Sequence, residues 1–325
     1  MPKRIWLHIG MHKTASTFLQ NFLFANPQAI NPHGFLYPAP NTPTKAHHPL
    51  ARATYQNYDE SSAAALWAPT IKEIEESPHT DAIISSEQFE WLSAPARLKK
   101  LVPSDIEIKV VVYVRRQDAQ MESRYQQRLQ NNDDLSKTFE EFFRTLKLAS
   151  LDLDSFLTPW EQQFGRENIH VRRFEFERFP EGKIELDFLR TLGIEEVTET
   201  NLPKNMVFAK NASLRKDCAE VMRFANAKRL EADVRKRLAG RMTRVSSLLQ
   251  KISPEPKFSY MTEAMRKEIL AKYEKSNQAV AQRYFGTDDL FNDKLPNHPV
   301  WDPKSVDKRT FIELYLPQFM QDLKG

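Results

Sequence analysis

Along the first half of the chain, apolar residues come in short dense runs divided by amphipathic stretches. Along the second half the runs give way to helical spacing. Arg4–Ile9 predicts a short strand, then a polar turn and a helix to about Phe24. Asn31–Leu50 reads as a loop, with prolines at 32, 38, 40, 43 and 49, one glycine and three histidines. Ser61–Glu76 predicts a helix and Ala82–Ser86 a buried strand. Ile108–Val114 contains Lys109-Val110-Val111-Val112-Tyr113, a β-branched run with little alternation, as a parallel strand covered on both faces would have. Gln117–Gln130 then predicts a helix and Asn168–Phe174 a fourth strand. Beyond residue 204, Leu214, Cys218, Val221 and Ala225, then Leu230, Val234 and Leu238, recur every three or four residues. Met265, Ile269, Tyr273, Val280 and Tyr284 do the same, up to a stop at Gly286.

Strands alternating with helices predict an α/β fold, a parallel sheet between two helical layers, with a helical C-terminal subregion added. The 325 residues allow one or two domains. No flexible linker divides them, so the expectation is a single domain over 1–325, its α/β core in 1–203 and its mainly helical part in 204–325. Trp6, Trp67, Trp91 and Trp160 are expected in the core, with stacking on a ligand as the alternative.

Composition narrows the setting. With 41% hydrophobic and 28% charged residues, a sizeable core is affordable. No apolar stretch approaches the ~18–20 residues of a membrane span. The basic start, Met1-Pro2-Lys3-Arg4, is followed by an apolar run too short for a secretory signal. Cys218 is the one cysteine, which excludes an intramolecular disulfide and argues against a cysteine-rich metal site; a cytoplasmic protein is expected. A net charge of +4 is too small to indicate nucleic acid. Between Lys204 and Lys251, however, 13 Lys/Arg stand against four acids, leaving the rest of the chain negative. That segment is either a solvated helix surface or a face that concentrates an anionic ligand.

Two motifs carry chemistry. His8-Ile9-Gly10-Met11-His12-Lys13-Thr14-Ala15-Ser16-Thr17 lies where the first strand hands over to a helix. Helix N-termini present unpaired N–H groups and a positive dipole end, and Lys13 adds a full charge, so the loop is suited to a phosphate. An ordinary capped helix with a surface lysine is the alternative. The spacing is not that of a Walker A loop. Second, the strand Ile108–Val114 ends in Arg115, and Ser123 follows eight residues later. Ligands of open α/β sheets bind at the carboxyl ends of strands, where an arginine can grip a phosphate bidentately; a local ion pair would also explain Arg115.

Lys13-Thr14-Ala15-Ser16-Thr17 resembles the 5′-phosphosulfate loop of sulfotransferases, K-[ST]-G-[ST]-[ST], and Arg115 with Ser123 resembles their R-x7-S element. The strings His8–Gln20 and Tyr113–Asp118 are similar to bacterial members. Softer likenesses run through His47-His48, Ser85-Ser86-Glu87, Trp160 to Phe164-Gly165, Asn211–Leu214 and Tyr284-Phe285-Gly286. Ala15 departs from the family's glycine; if that position requires a positive φ, alanine is strained there.

The resemblance implies a P-loop-like phosphate site and transfer of a sulfuryl group from 3′-phosphoadenosine 5′-phosphosulfate (PAPS) to an acceptor hydroxyl or amine. The product would be 3′-phosphoadenosine 5′-phosphate (PAP), with no metal required. Lys13 would neutralise charge near the 5′-phosphate, N–H groups of Thr14, Ala15, Ser16 and Thr17 would cradle it, and Arg115 and Ser123 would hold the 3′-phosphate. Asn211 and Ser213 would add contacts there, or Ser213 would simply cap a helix. Glu87, at the end of its strand, is the first choice for general base, with His47 and His48 as rivals whose intrinsic pKa suits the task better. An anionic carbohydrate is one acceptor that a basic segment would favour; oligomeric state is left open. The competing readings are a small-molecule kinase needing Mg²⁺ and acidic ligands, and a non-enzymatic nucleotide- or polyanion-binding module.

Overall fold

The computed structural model describes residues 3–39, 45–131, 135–146, 149–203, 214–228, 230–292 and 294–305. In chain order the elements are β1 (Arg4–His8), α1 (Ser16–Ala25), β2 (Phe35–Leu36), α2 (His48–Arg52), α3 (Glu60–Glu76), β3 (Asp81–Ser85), α4 (Ala94–Leu101), β4 (Glu107–Val114), α5 (Gln117–Gln130), α6 (Phe139–Thr145), α7 (Leu153–Phe164), β5 (Ile169–Arg173), α8 (Ile184–Thr191), α9 (Lys216–Ala227), α10 (Ala232–Ile252) and α11 (Glu263–Phe285). The strands form one all-parallel sheet in the order β2-β3-β1-β4-β5, so the α/β expectation holds.

Burial of both sheet faces explains why the inner residues of β1, β3 and β4 are apolar in succession. Ile5, Leu7, Ala82, Ile84, Val110, Val112 and Val114 pack on one side with Trp67, Leu98, Trp160 and Val280. Trp6, Ile83, Val111 and Tyr113 pack on the other with Leu19, Phe22, Phe188 and Leu189. Helices on both faces give the expected three layers.

The chain divides into two compact units. The first comprises Met1–Gln117, Leu148–Phe208 and Lys272–Asp293 and holds the sheet; the second comprises Asp118–Lys147, Ala209–Ala271 and Lys294–Gly325. Val280 and Ala281 of α11 are buried in the sheet's core, within the first unit. The second unit is helical. Its interior combines ring packing of Tyr125 against Phe139, Phe142 and Tyr260 with a buried Asp118–Arg266 ion pair.

Three local expectations are corrected. The stretch Asn31–Leu50 contains a two-residue strand, β2, and the start of α2. Val234 is exposed and Arg235 buried, because α10 begins afresh and packs Leu238, Met242, Val245 and Leu249 inward. The Arg235 guanidinium donates instead to Asn226 Oδ1 at 2.8 Å and to the Asn131 carbonyl at 3.1 Å. Trp6, Trp67 and Trp160 are core residues as expected, but Trp91 is 58% exposed.

Candidate anion-binding and acid–base site

The loop from β1 to α1 is shaped by backbone rather than by side chains. Gly10 has φ +47°, and a Cβ there would lie 2.9 Å from Ser16 Oγ and 3.2 Å from the Glu87 Cα. Glycine thus lets the loop close on the end of β3. Lys13 (φ 70°) and Ala15 (φ 61°) are both left-handed, and Ala15 is the N-cap of α1. The position where the family carries glycine does have positive φ here, and two non-glycine residues in that region mark a strained loop. The buried Thr14 hydroxyl donates to the Met11 carbonyl at 2.6 Å, so it holds the turn; Ser16 is buried and Thr17 exposed. The first intrahelical bonds run from Phe18 and Leu19 N–H to the Ala15 carbonyl. N–H groups before these belong to the orphan set that an anion can satisfy.

Arg115 follows β4, beside β1 in the sheet. Its Nη1 donates to the Lys13 carbonyl at 2.8 Å, and its guanidinium lies 5.5 Å from the centre of the Phe174 ring. Arg115 of the second motif therefore meets the loop of the first. Burial and the Arg115 charge lower the Lys13 ammonium pKa from its ordinary value.

The end of β3 carries the acid–base candidates. Glu87 Oε2 accepts from the buried Gln20 amide at 3.0 Å, and its Oε1 stands 3.9 Å from His48 Nε2. Burial pushes the Glu87 carboxyl up. The Gln20 hydrogen bond, its own backbone N–H, and the charges of His48 and His12 outweigh that, leaving it below the ordinary value. His48 Nδ1 lies 2.8 Å from Ser86 Oγ, and burial draws its pKa down. His47 is different in kind. The Ser85 N–H donates to its Nδ1 at 3.1 Å, its Nε2–H donates to the Pro38 carbonyl at 3.0 Å, and its own N–H donates to the Ser85 carbonyl. Both ring nitrogens are committed, and burial lowers its pKa to about 4. His47 thus pins the start of α2 to β3, whereas His48 faces Glu87.

Gln20, Ser85 and Ser86 were not singled out by sequence as partners. Gln20 lies a turn inside α1, and its distance from Glu87 along the chain conceals the contact. Ser123 lies on α5 and is counted in the second unit, Arg115 in the first. Asn211 and Ser213 lie outside the described residues. Among the described residues, no group of three or more His, Cys, Asp or Glu is arranged to hold a metal ion, and no helix is long and apolar enough to cross a membrane.

No protein-family model matches the chain. It is 31% identical over 214 residues to an uncharacterized protein of Archaeoglobus fulgidus, a match covering 64% of this chain and 55% of that protein's length. Among solved structures it is similar to a sulfotransferase from Alicyclobacillus acidocaldarius, with a TM-score of 0.39 and 17% identity over 71% of this chain and 95% of the other.

Proposed function

We propose that the protein transfers a sulfuryl group from PAPS to an acceptor hydroxyl or amine, with a carbohydrate as the favoured acceptor. The observation that supports this reading is the Arg115–Lys13 contact. It brings a guanidinium and a lysine to one strained loop at a helix start, with the Cα and Cβ of Glu87 against the same loop at Gly10. Two cations at a helix N-terminus suit a dianionic or more highly charged ligand. In the reaction, the acceptor oxygen forms a bond to sulfur while the bond from sulfur to the 5′-phosphate oxygen breaks. Lys13 stabilises charge on that departing oxygen, Arg115 binds the 3′-phosphate, and the ionised Glu87 takes the acceptor proton. Such transfers depend on positioning and charge stabilisation. His48 is the alternative base, and His47 serves as a positioning residue.

Thermal-shift comparison of PAP, PAPS and ATP-Mg is the direct test, since a ligand that binds the folded state raises Tm by mass action. PAP and PAPS should stabilise the protein and ATP-Mg should do so much less. A response to ATP-Mg with none to PAP would overturn the reading in favour of a kinase. Nucleotide binding that survives with no sulfuryl transfer to any acceptor hydroxyl or amine would favour a non-enzymatic module.

A further inference from the structure

The segment from α2 to Tyr55 packs beside the segment that begins with Glu87. His48, in the first turn of α2, faces Glu87; one helical turn later the exposed Arg52 Nε donates to the His48 carbonyl at 3.4 Å. Three residues on, the Tyr55 ring lies 5.1 Å from the Trp91 ring at 51°. Trp91 is 58% exposed and its neighbour Leu92 45%. The Tyr55 phenol also feels the charges of Arg52, Glu90 and Glu87, which places it within electrostatic reach of the acid–base pair. An exposed indole is unremarkable by itself. An indole held against the Tyr55 ring with much of its surface in water, on a segment that also carries a cation and a candidate base, is a platform.

We infer that Trp91, Tyr55 and Arg52 form the acceptor subsite and that it takes a sugar ring bearing a carboxylate or sulfate substituent. This deepens the sulfuryl-transfer reading and rests on it. The platform is one-sided, whereas a flat apolar acceptor gains most from being enclosed on both faces. An amphipathic ring can lay its C–H face on the indole and leave its hydroxyls in water. Arg52 supplies a planar donor fork for an acidic substituent. Glu87 and Glu90 disfavour an anion on their own side, so the substituent points toward Arg52 while the reacting hydroxyl points toward Glu87.

Titrating the PAP-saturated full chain with an oligogalacturonate hexamer, neutral cellohexaose and 4-nitrophenol tests this. The uronate should bind about tenfold tighter than the neutral sugar at low salt, an advantage that shrinks as salt screens Arg52. Trp91→Ala should weaken both sugars by about tenfold, and Arg52→Gln should abolish the preference for the uronate while sparing the neutral sugar. Both side chains are exposed, so the variants should melt with the wild type. Absence of sugar binding, unchanged sugar binding in Trp91→Ala, or preferential binding of 4-nitrophenol at Trp91 would each overturn the inference. PAP affinity, measured on the same samples, reports separately: it should be unaltered in both variants. Its absence in the wild type would remove the sulfuryl-transfer reading itself.

Discussion

The Arg115 guanidinium donates to the Lys13 carbonyl at 2.8 Å, bridging 102 residues of sequence. That bond joins the end of β4 to the loop that follows β1 and supports a lysine whose backbone is left-handed. Arg115 therefore has two tasks in the proposed site: it offers charge to a phosphate, and it fixes the residue beside which that phosphate would sit.

The pairing has an electrostatic consequence. Burial and the Arg115 charge both hold the Lys13 pKa below its ordinary value. Arg115→Gln removes one of these causes, so the Lys13 titration midpoint should move upward. Competitive acetylation of Lys13 as a function of pH measures it, and an unchanged midpoint would mean that the guanidinium does not reach the ammonium. The same variant should lose its preference for PAP over adenosine monophosphate by about 2 kcal/mol, the usual worth of a hydrogen bond to a charged group.

Lys13→Ala tests the transfer step. Burial and the Arg115 charge both disfavour the half-buried Lys13 ammonium, so its removal should cost the fold little. Turnover should fall severely while Tm stays within about a degree or two of wild type. Near-normal turnover would remove Lys13 from the mechanism.

Glu87→Gln keeps shape and removes basicity. If Glu87 takes the acceptor proton, turnover falls ~10²–10⁴-fold with little change in PAPS affinity, and His48→Asn falls less. A larger loss in His48→Asn would transfer the role to the imidazole. Gln20→Met adds an independent reading. It deletes a hydrogen bond that lowers the Glu87 pKa, so the acid limb of the rate profile should shift to higher pH. A structural role alone for Gln20 would lower Tm without moving that limb.

Ala15→Gly should stabilise the protein. Alanine at φ 61° pays a left-handed penalty of ~1–2 kcal/mol, partly offset by the ~0.4–1 kcal/mol of extra unfolded-state entropy that glycine brings. The expected net gain is between about 0 and 1.6 kcal/mol, read from urea unfolding. A loss of stability would mean that the alanine side chain contributes packing that outweighs its strain.

The strands and their neighbours were legible because buried parallel strands leave near-continuous apolar runs. Gln117–Gln130 was found to the residue, as its helix is long and amphipathic. β2 was not legible: two residues in a proline-rich stretch carry no periodicity. Val234 and Arg235 show a second limit, since the same spacing describes one helix or two and only tertiary contacts fix the rotation. The loop and Arg115 were readable because each sits at a strand end. The difference between His47 and His48 was not, because it depends on Ser85 and Pro38 engaging both nitrogens of one ring.

That engaged ring, with His8, sets the response to acid. His8 Nδ1 lies 2.8 Å from Ser85 Oγ, and burial lowers the pKa of both His8 and His47 to about 4, against 6.5 for the free side chain. A neutral buried histidine contributes stability that is fully present above pH 6.5. It is lost as pH falls toward the folded value, because the unfolded chain takes up the proton first. The loss amounts to roughly 3 kcal/mol per histidine over that window. His48 and His170, also drawn down by burial, act in the same direction. Carboxylates held low, such as Glu87, lose their contribution only below about pH 4.5. Glu185 and Glu255, raised by burial, act in the opposite direction, so destabilisation between pH 6.5 and 5 comes from the histidines. Urea unfolding across that interval should show steep destabilisation on acidification, and His47→Asn should reduce the coupled proton uptake by about one. A wild-type stability that stays flat from pH 6.5 to 5 would show that His8 and His47 are protonated as readily in the folded chain as in the unfolded one.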